Sequence, residues 1–522
     1  MAQDGNVLPL LLRGQAALQR QALAEASEWF ARAVLAAPKH AQARACLGQA
    51  LCWQGKRSEG LAQLHESGRL LAAQARRDQA QLNLLLELID QLQFWNDYSG
   101  ALALSQQAVQ IASRHVRAWQ LLALSYSNLN RPKPALQAVQ QAVALAPNNA
   151  IIQILAASIE ADNKLWEAAR RRLEKVLASS ALQPEEAMRA HKELARVLDR
   201  LGEYERAFTE LQAAEEAALK LPALQRQDSN LVFDLLETYR NKLDRALIGR
   251  WAKARFADRA PVFLVGFFRS GTTLTQQVLA SHPRALVLDE ADLLAPLRAE
   301  LKRLTGRESL PEQLRALKLE DVKRLRAFYW TQARWRYGDQ IDQAPVVVDK
   351  TTFNFIDLGF LNHLFPDAKA VVMVRDPRDV CLSCYMQLFK PNPSTVHLFS
   401  WPGTARLYAA VMAWWQELKP RLTFPWREIG YEQAVLDFTP TYQELLAFLG
   451  LEWDPKVVEF HRLASGQFIA SPSAKQVAEP LSAASIGRWR RYERAFAPIL
   501  SLLKPAITAL GYEALSGNFD KI

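Results

Sequence analysis

Along residues 1 to about 220, apolar positions recur at the three- and four-residue spacing of amphipathic helices, and small residues punctuate them at near-regular intervals. Ala26, Gly60, Ala101, Ala135, Ala169 and Ala207 follow one another at steps of 34, 41, 34, 34 and 38 residues. Seven residues after each stands another small or modest side chain: Ala33, Ser67, Ala108, Ala142, Val176 and Ala214. Residues seven apart share a helix face, so paired small side chains let a second helix cross closely there. The pattern predicts six helix pairs. From Leu221 to Arg259 the helical spacing continues without the small residues and predicts a capping and connecting helix.

After Pro261 the pattern changes. Val262 to Val265 is wholly apolar, Gly266 to Gly271 makes a tight polar turn, and Thr272 to Ala280 has helical composition. Pro345–Asp349 and Lys369–Val374 read as two further buried strands, and Thr423–Ile429 is a candidate for another. Residues 296 to 343 read as amphipathic helix broken at Pro311, and Pro391 to Gly403, holding three prolines and Trp401, as a loop and candidate lid. Apolar strands separated by helices imply a parallel sheet covered on both faces.

The expected fold is thus an all-α solenoid over residues 1–220, a linking segment over 221–259, and an α/β domain with a P-loop-like turn and a parallel sheet over 260–522. In the first region Trp119, Leu122, Ala123, Tyr126, Ala135, Ala142 and Pro147 match the 34-residue tetratricopeptide pattern, and Gly202-Glu-Tyr204-Glu-Arg-Ala207 repeats part of it. One such helix pair cannot bury its own apolar face, so the pairs stack into a superhelix whose concave surface holds extended peptides. The alternative role is a spacer or dimerisation arm.

Charge and cysteine content narrow the classes. The net charge of +10 suits an anionic ligand, but basic and aromatic residues do not interleave as in nucleic-acid-binding surfaces, so no nucleic-acid partner is expected. No apolar run approaches the roughly 18 residues of a membrane span. Met1 to Asn6 lacks a basic leader, and the chain has only four cysteines, so the expected setting is cytoplasmic. Cys381 and Cys384 have CxxC spacing without a second ligand pair, which argues against zinc or redox use.

A strand, a glycine turn and a helix together aim backbone N–H groups at an anion. The spacing Gly266-x4-Gly271 is that of a nucleoside-triphosphate loop, which should continue with Lys and then Ser or Thr. Here the next residues are Thr272 and Thr273, and the cation, Arg269, lies inside the turn. A kinase or NTPase is therefore disfavoured. A ligand with one 5′-side anionic group and no metal requirement fits, such as the phosphosulfate of 3′-phosphoadenosine 5′-phosphosulfate (PAPS). A second constellation runs from Arg375 through Asp376-Pro377-Arg378-Asp379 to Ser383. Arg375 ends a strand, Asp379 is placed to cap the next helix, and Arg375 with Ser383 can converge on a second phosphate. In open α/β sheets that carboxyl edge is where ligands bind.

On these residues, 261 to about 493 resemble a sulfotransferase domain of the tyrosylprotein-sulfotransferase-like group, and the whole chain resembles bacterial tetratricopeptide-repeat sulfotransferases. The resemblance implies transfer of a sulfuryl group from PAPS to an acceptor hydroxyl, foremost protein tyrosine. Carbohydrate or another small acceptor, or a catalytically silent nucleotide-binding scaffold, are its alternatives. It assigns Arg269, Ser270, Gly271, Thr272 and Thr273 to the 5′-phosphosulfate, and Arg375 and Ser383 to the 3′-phosphate. Glu290, eight residues after His282, takes the place of the general base, with Asp289 and Asp292 as competitors. Lys350 and Ser473 stabilise the transferred group, though Asp349 could instead pair with Lys350. Tyr431 stands on the adenine side. Gly487-Arg488-Trp489 and the Ser473–Pro480 segment, with Gln476, complete the set. The chain departs from the family pattern at Phe268 for proline, Arg488 for lysine and Gln387 for an arginine, whose contact Arg378 could take over. No metal is implied, and the partner implied is an acceptor protein or peptide held by the repeats.

Overall fold

The computed structural model describes residues 7–76, 78–179, 182–464, 477 and 479–513. The chain divides into two compact units: one runs to Arg172 and takes in Gln332–Asp339, and the other comprises Leu173–Thr331, Gln340–Ala464 and the C-terminal residues. Each of the six expected helix pairs forms, from Val7–Gln19 with Leu23–Ala36 to Pro184–Leu201 with Tyr204–Ala218. All six leading small residues lie on the second helix of a pair, and Ala26, Ala101, Ala135, Ala169 and Ala207 have no exposed surface. In the first unit this packing yields a continuous core from Ala41 to Ile159, rich in Leu and Ala.

The last pair packs differently. Pro184–Leu201 and Tyr204–Ala218 fall in the second unit, and Met188, Ala214, Ala217 and Ala218 share a core with Leu224 and Phe399. The expected single connecting helix after it is instead three: Pro222–Gln225, Leu231–Lys242 and Arg245–Ile248. Asp244 explains the last break, since its side chain accepts from Leu247 N at 2.7 Å and starts a new helix.

The second unit is built on five parallel strands: β1 (Val262–Gly266), β2 (Ala285–Asp289), β3 (Val346–Lys350), β4 (Lys369–Val374) and β5 (Trp426–Gly430), in the order β2-β3-β1-β4-β5. Every residue of β1 is buried, as a central parallel strand requires. Connections from β1 run toward β3 and β2, whereas those from β4 run toward β5. The strand order therefore reverses between β1 and β4, which places the ligand crevice at their carboxyl ends.

Three local expectations are corrected. Pro391–Gly403 is not one open loop: Ser400 accepts from Gly403 N at 3.0 Å, Pro402 sits in the first turn, and a helix begins at Trp401. Trp401 is buried and donates to Ala495 O at 2.8 Å, which does not suit a lid. The helix after β4 is capped by Asp376, whose carboxylate accepts from Arg378 N at 2.9 Å, because Pro377 already occupies its first turn. Asp379 turns away and accepts from Gly487 N and Trp489 N at 2.7 and 2.8 Å. Finally, β2 is an unanticipated edge strand, only one of whose residues, Leu288, is fully buried.

Candidate active site

The turn after β1 is shaped by close backbone approach. A Cβ on Gly266 would stand 2.6 Å from Met373 O of β4, so a side chain there would push the two strands apart. Gly271 has φ +100° and packs against the Tyr431 ring, where a Cβ would be 2.7 Å from Cδ2. Gly271 leads straight into the helix Thr272–Ala280, whose first-turn N–H groups have no earlier carbonyl within the helix to bond. Ser270, Thr272 and Thr273 are all buried beside it.

From this turn a chain of polar contacts runs toward β3 and β2. Thr272 Oγ1 lies 3.2 Å from Thr352 Oγ1, which donates to Glu290 Oε1 at 2.9 Å. Lys350 Nζ donates to the same Oε1 at 2.8 Å and to Asp289 Oδ1 at 3.2 Å. Burial opposes the Lys350 ammonium, but Glu290 and Asp289 outweigh that and hold its pKa above the ordinary lysine value. The Lys350 side chain has no exposed surface, while Glu290 keeps 33%. The lysine is thus sheltered and the carboxylate reachable. Glu290 also has φ +46°, uncommon for a residue with a Cβ, and its N–H is held by Lys350 O at 2.8 Å. Asp349 does not compete for Lys350; it accepts from Tyr329 and Thr351 hydroxyls, both at 2.9 Å. Asp292 instead accepts from Ala295 N at 3.4 Å.

His282 is structural. It is buried, its Nδ1 accepts from Arg284 N at 3.1 Å and its Nε2 lies 2.9 Å from Glu452 O, so both ring nitrogens are committed.

On the other side of the turn, toward β4 and β5, the arginines gather. Arg269 Nε donates to Ser383 Oγ at 2.9 Å, and Arg375 Nη1 donates to Arg269 O at 3.2 Å. The structure therefore brings Arg269, Arg375 and Ser383 into one cluster. Burial above all lowers Arg269 to about 10, which leaves it charged at neutral pH. The Arg375 guanidinium lies over the Tyr431 ring at 4.5 Å and donates from Nη2 to Ser485 O at 2.5 Å, while its buried Nε has no hydrogen-bond partner among the described residues. A buried donor left unmade costs about 1–3 kcal/mol, which an anion would recover.

A cavity of about 150 Å³ opens against this cluster, lined by Arg269, Gly271, Arg375, Tyr431 and Ser485 and, from the last repeat pair, Arg200. Sites that enclose whole ligands run to roughly 300–1,000 Å³, so this one is too small to enclose a drug-sized ligand whole.

Two expected contributors are already ion-paired. Arg488 is ion-paired with Asp199 at 2.7 Å, and Arg378 with Asp376 at 2.7 Å while stacked over Trp489 at 3.9 Å. Arg378 is therefore not available to replace the arginine missing at Gln387. Ser473 and Gln476 lie outside the described residues. Phe268, in place of proline, stacks on Phe353 at 4.6 Å and keeps the turn packed. Sequence reading missed Asp199, Arg200 and Thr352: Thr352 lies two residues after Lys350, but Asp199 and Arg200 belong to a repeat helix with no motif of its own. Among the described residues no group of three or more His, Cys, Asp or Glu could hold a metal ion, and no helix is long and apolar enough to cross a membrane.

Comparison with known proteins agrees with this geometry. Residues 261–455 match the family model described as the sulfotransferase family, and residues 116–149 match a tetratricopeptide repeat. An uncharacterized protein of Aquifex aeolicus is 26% identical over 431 residues, 80% of this chain and 54% of that one. Protein-tyrosine sulfotransferase A of Caenorhabditis elegans is 24% identical over 234 residues, covering 44% of this chain and 60% of that one. For human protein-tyrosine sulfotransferase 1 the figures are 25% over 281 residues, 51% and 73%. The chain thus spans little more than half the length of the first two relatives. The chain carries a sulfotransferase-family domain over residues 261–455, preceded by tetratricopeptide repeats.

Proposed function

We propose that this protein is a PAPS-dependent sulfotransferase acting on a hydroxyl of a polypeptide, with tyrosine as the foremost acceptor. The observation that carries the reading is the contact chain from Thr272 at the glycine turn through Thr352 to Glu290 and Lys350. It links an anion-binding turn to a partly exposed carboxylate and a buried ammonium, a combination a silent scaffold does not need.

The site fits the donor nucleotide. The Arg375 Nε without a partner and the tight Gly271–Tyr431 approach provide a charged, close-walled cradle. Arg375 and Ser383 would hold the phosphate away from transfer, Ser270 to Thr273 the 5′ side, and Tyr431 the base; Arg269, expected on the 5′ side, would join the first group through its contacts to Ser383 and Arg375. When bound, PAPS supplies an activated sulfuryl group, whose bond to the 5′-phosphate oxygen breaks as a bond to the acceptor oxygen forms. Glu290 accepts the proton of the acceptor hydroxyl. Lys350 and the helix N-terminus at Thr272 stabilise negative charge next to that carboxylate, each donor contributing about 3 kcal/mol. Ser473 is assigned to the same task. The polypeptide acceptor follows from two supports, the protein-tyrosine sulfotransferases among the relatives and the repeats, which would hold an extended chain.

Titration calorimetry with adenosine 3′,5′-bisphosphate (PAP) and with ATP tests the nucleotide class. PAP should bind at least tenfold more tightly. Equal or tighter ATP binding would overturn the reading.

A further inference from the structure

The anion-binding cavity is walled partly by a residue that lies outside the sulfotransferase-family match. Arg200 sits at the end of the repeat helix Pro184–Leu201 and lines the same cavity as Arg269, Arg375 and Tyr431. It makes no ion pair among the described residues, and the one carboxylate lining that cavity is Glu479. Its side chain is exposed, and its backbone is fixed by its neighbour. Asp199 is buried and accepts from Arg488 Nε at 3.2 Å and from Tyr492 OH at 2.7 Å, so the end of the repeat helix is tied to the segment that carries Ser485. Gly202, with φ +83°, ends the helix one residue later.

The strand order decides which end of a nucleotide this cavity serves. Glu290 and Lys350 follow β2 and end β3, on one side of β1, whereas Arg375 and Tyr431 follow β4 and β5 on the other. Neither Glu290 nor Lys350 lines the cavity. If transfer occurs at Glu290 and Lys350, the cavity takes the opposite, non-transferred phosphate, touching the glycine turn at Arg269 and Gly271.

We infer that Arg200 is a nucleotide-binding residue, a guanidinium supplied by the last tetratricopeptide repeat to the 3′-phosphate beside Arg375. This rests on the reading of the site as a PAPS site. The repeat region then completes the donor pocket in addition to any role in holding an acceptor. A third arginine facing one small cavity also makes up for Gln387, where the family pattern has an arginine.

The test uses the full chain and two probes, PAP and 5′-AMP, which lacks the 3′-phosphate. Arg200→Ala should weaken PAP binding about tenfold, as expected for loss of one charge-assisted contact, and change 5′-AMP binding less than twofold. Arg200→Lys should recover part of the loss. The thermal midpoint without ligand should match wild type in both variants, since Arg200 makes no ion pair that folding needs. Unchanged PAP affinity in Arg200→Ala, or an equal loss for PAP and 5′-AMP, would overturn the assignment. Failure of the wild-type chain to bind PAP at all would instead overturn the underlying PAPS reading.

Discussion

Arg375 shows how a single residue can be both structural and poised. One nitrogen holds the Arg269 carbonyl, another holds Ser485 O, and the third is buried with no hydrogen-bond partner among the described residues. Arg375→Ala and Arg269→Ala should each weaken PAP binding by about 1.5–3 kcal/mol, the range for hydrogen bonds to a charged group. Calorimetry on both variants checks this, and wild-type affinity in both would move the phosphate site elsewhere. At this scale the sequence was informative wherever a residue type is chemically forced. Arg375, Lys350 and Glu290 stand at strand ends because only there can side chains of a parallel sheet converge. The engagement of Arg488 by Asp199 was not legible, because an ion pair across 289 residues leaves no trace in local spacing.

Among elements, the helix Pro184–Leu201 matters beyond its place in the repeat. Its Lys192 is buried, donates to Tyr385 O and lies 4.9 Å from the Tyr385 ring centroid. Burial lowers its pKa to about 7 against the opposing pull of Glu215 and Cys384. Between that value and the ordinary 10.5, the unfolded chain binds a proton that the folded chain releases. This group's contribution to stability therefore rises with pH across that window. Compared with Lys192→Met, the wild-type chain should gain up to roughly 1.4 kcal/mol per pH unit between pH 7.5 and 9 in denaturant unfolding. A difference independent of pH would contradict the buried, proton-releasing lysine. The repeat helices themselves were readable, since Ala at a crossing is a steric requirement that recurs. Edge strand β2 was not: its four-residue apolar run, Ala285–Leu288, is as long as that of β1, but a run that short fits a buried helix segment as well as a strand. The boundary of the packed repeats was also hidden, because the last helix pair keeps the same small residues at Ala207 and Ala214 while packing with the sheet unit.

For the whole molecule, the consequence is that the last repeat cannot be cut away as a separable arm. Glu215 accepts from the Tyr385 hydroxyl at 2.7 Å and from Trp401 N at 3.0 Å, and Asp199 holds Arg488 and Tyr492. A chain beginning at Leu221 should melt at a lower temperature and lose PAP binding, as thermal melts with and without PAP would show; intact binding would show those contacts dispensable. Central to the proposed function is that a nucleotide held at the glycine turn meets a base at Glu290. The most direct measurement is transfer from radiolabelled PAPS into protein in a cell extract, run with the wild-type chain and Glu290→Gln, alongside PAP affinity for both. Glutamine keeps the shape and an acceptor oxygen for Lys350 but is not a base at neutral pH. The proposed function requires equal PAP affinity, label transferred by the wild-type chain, and at least a hundredfold slower transfer by the variant, the low end for a general base. Near-normal transfer by Glu290→Gln, or no transfer by a wild-type chain that binds PAP, would contradict it.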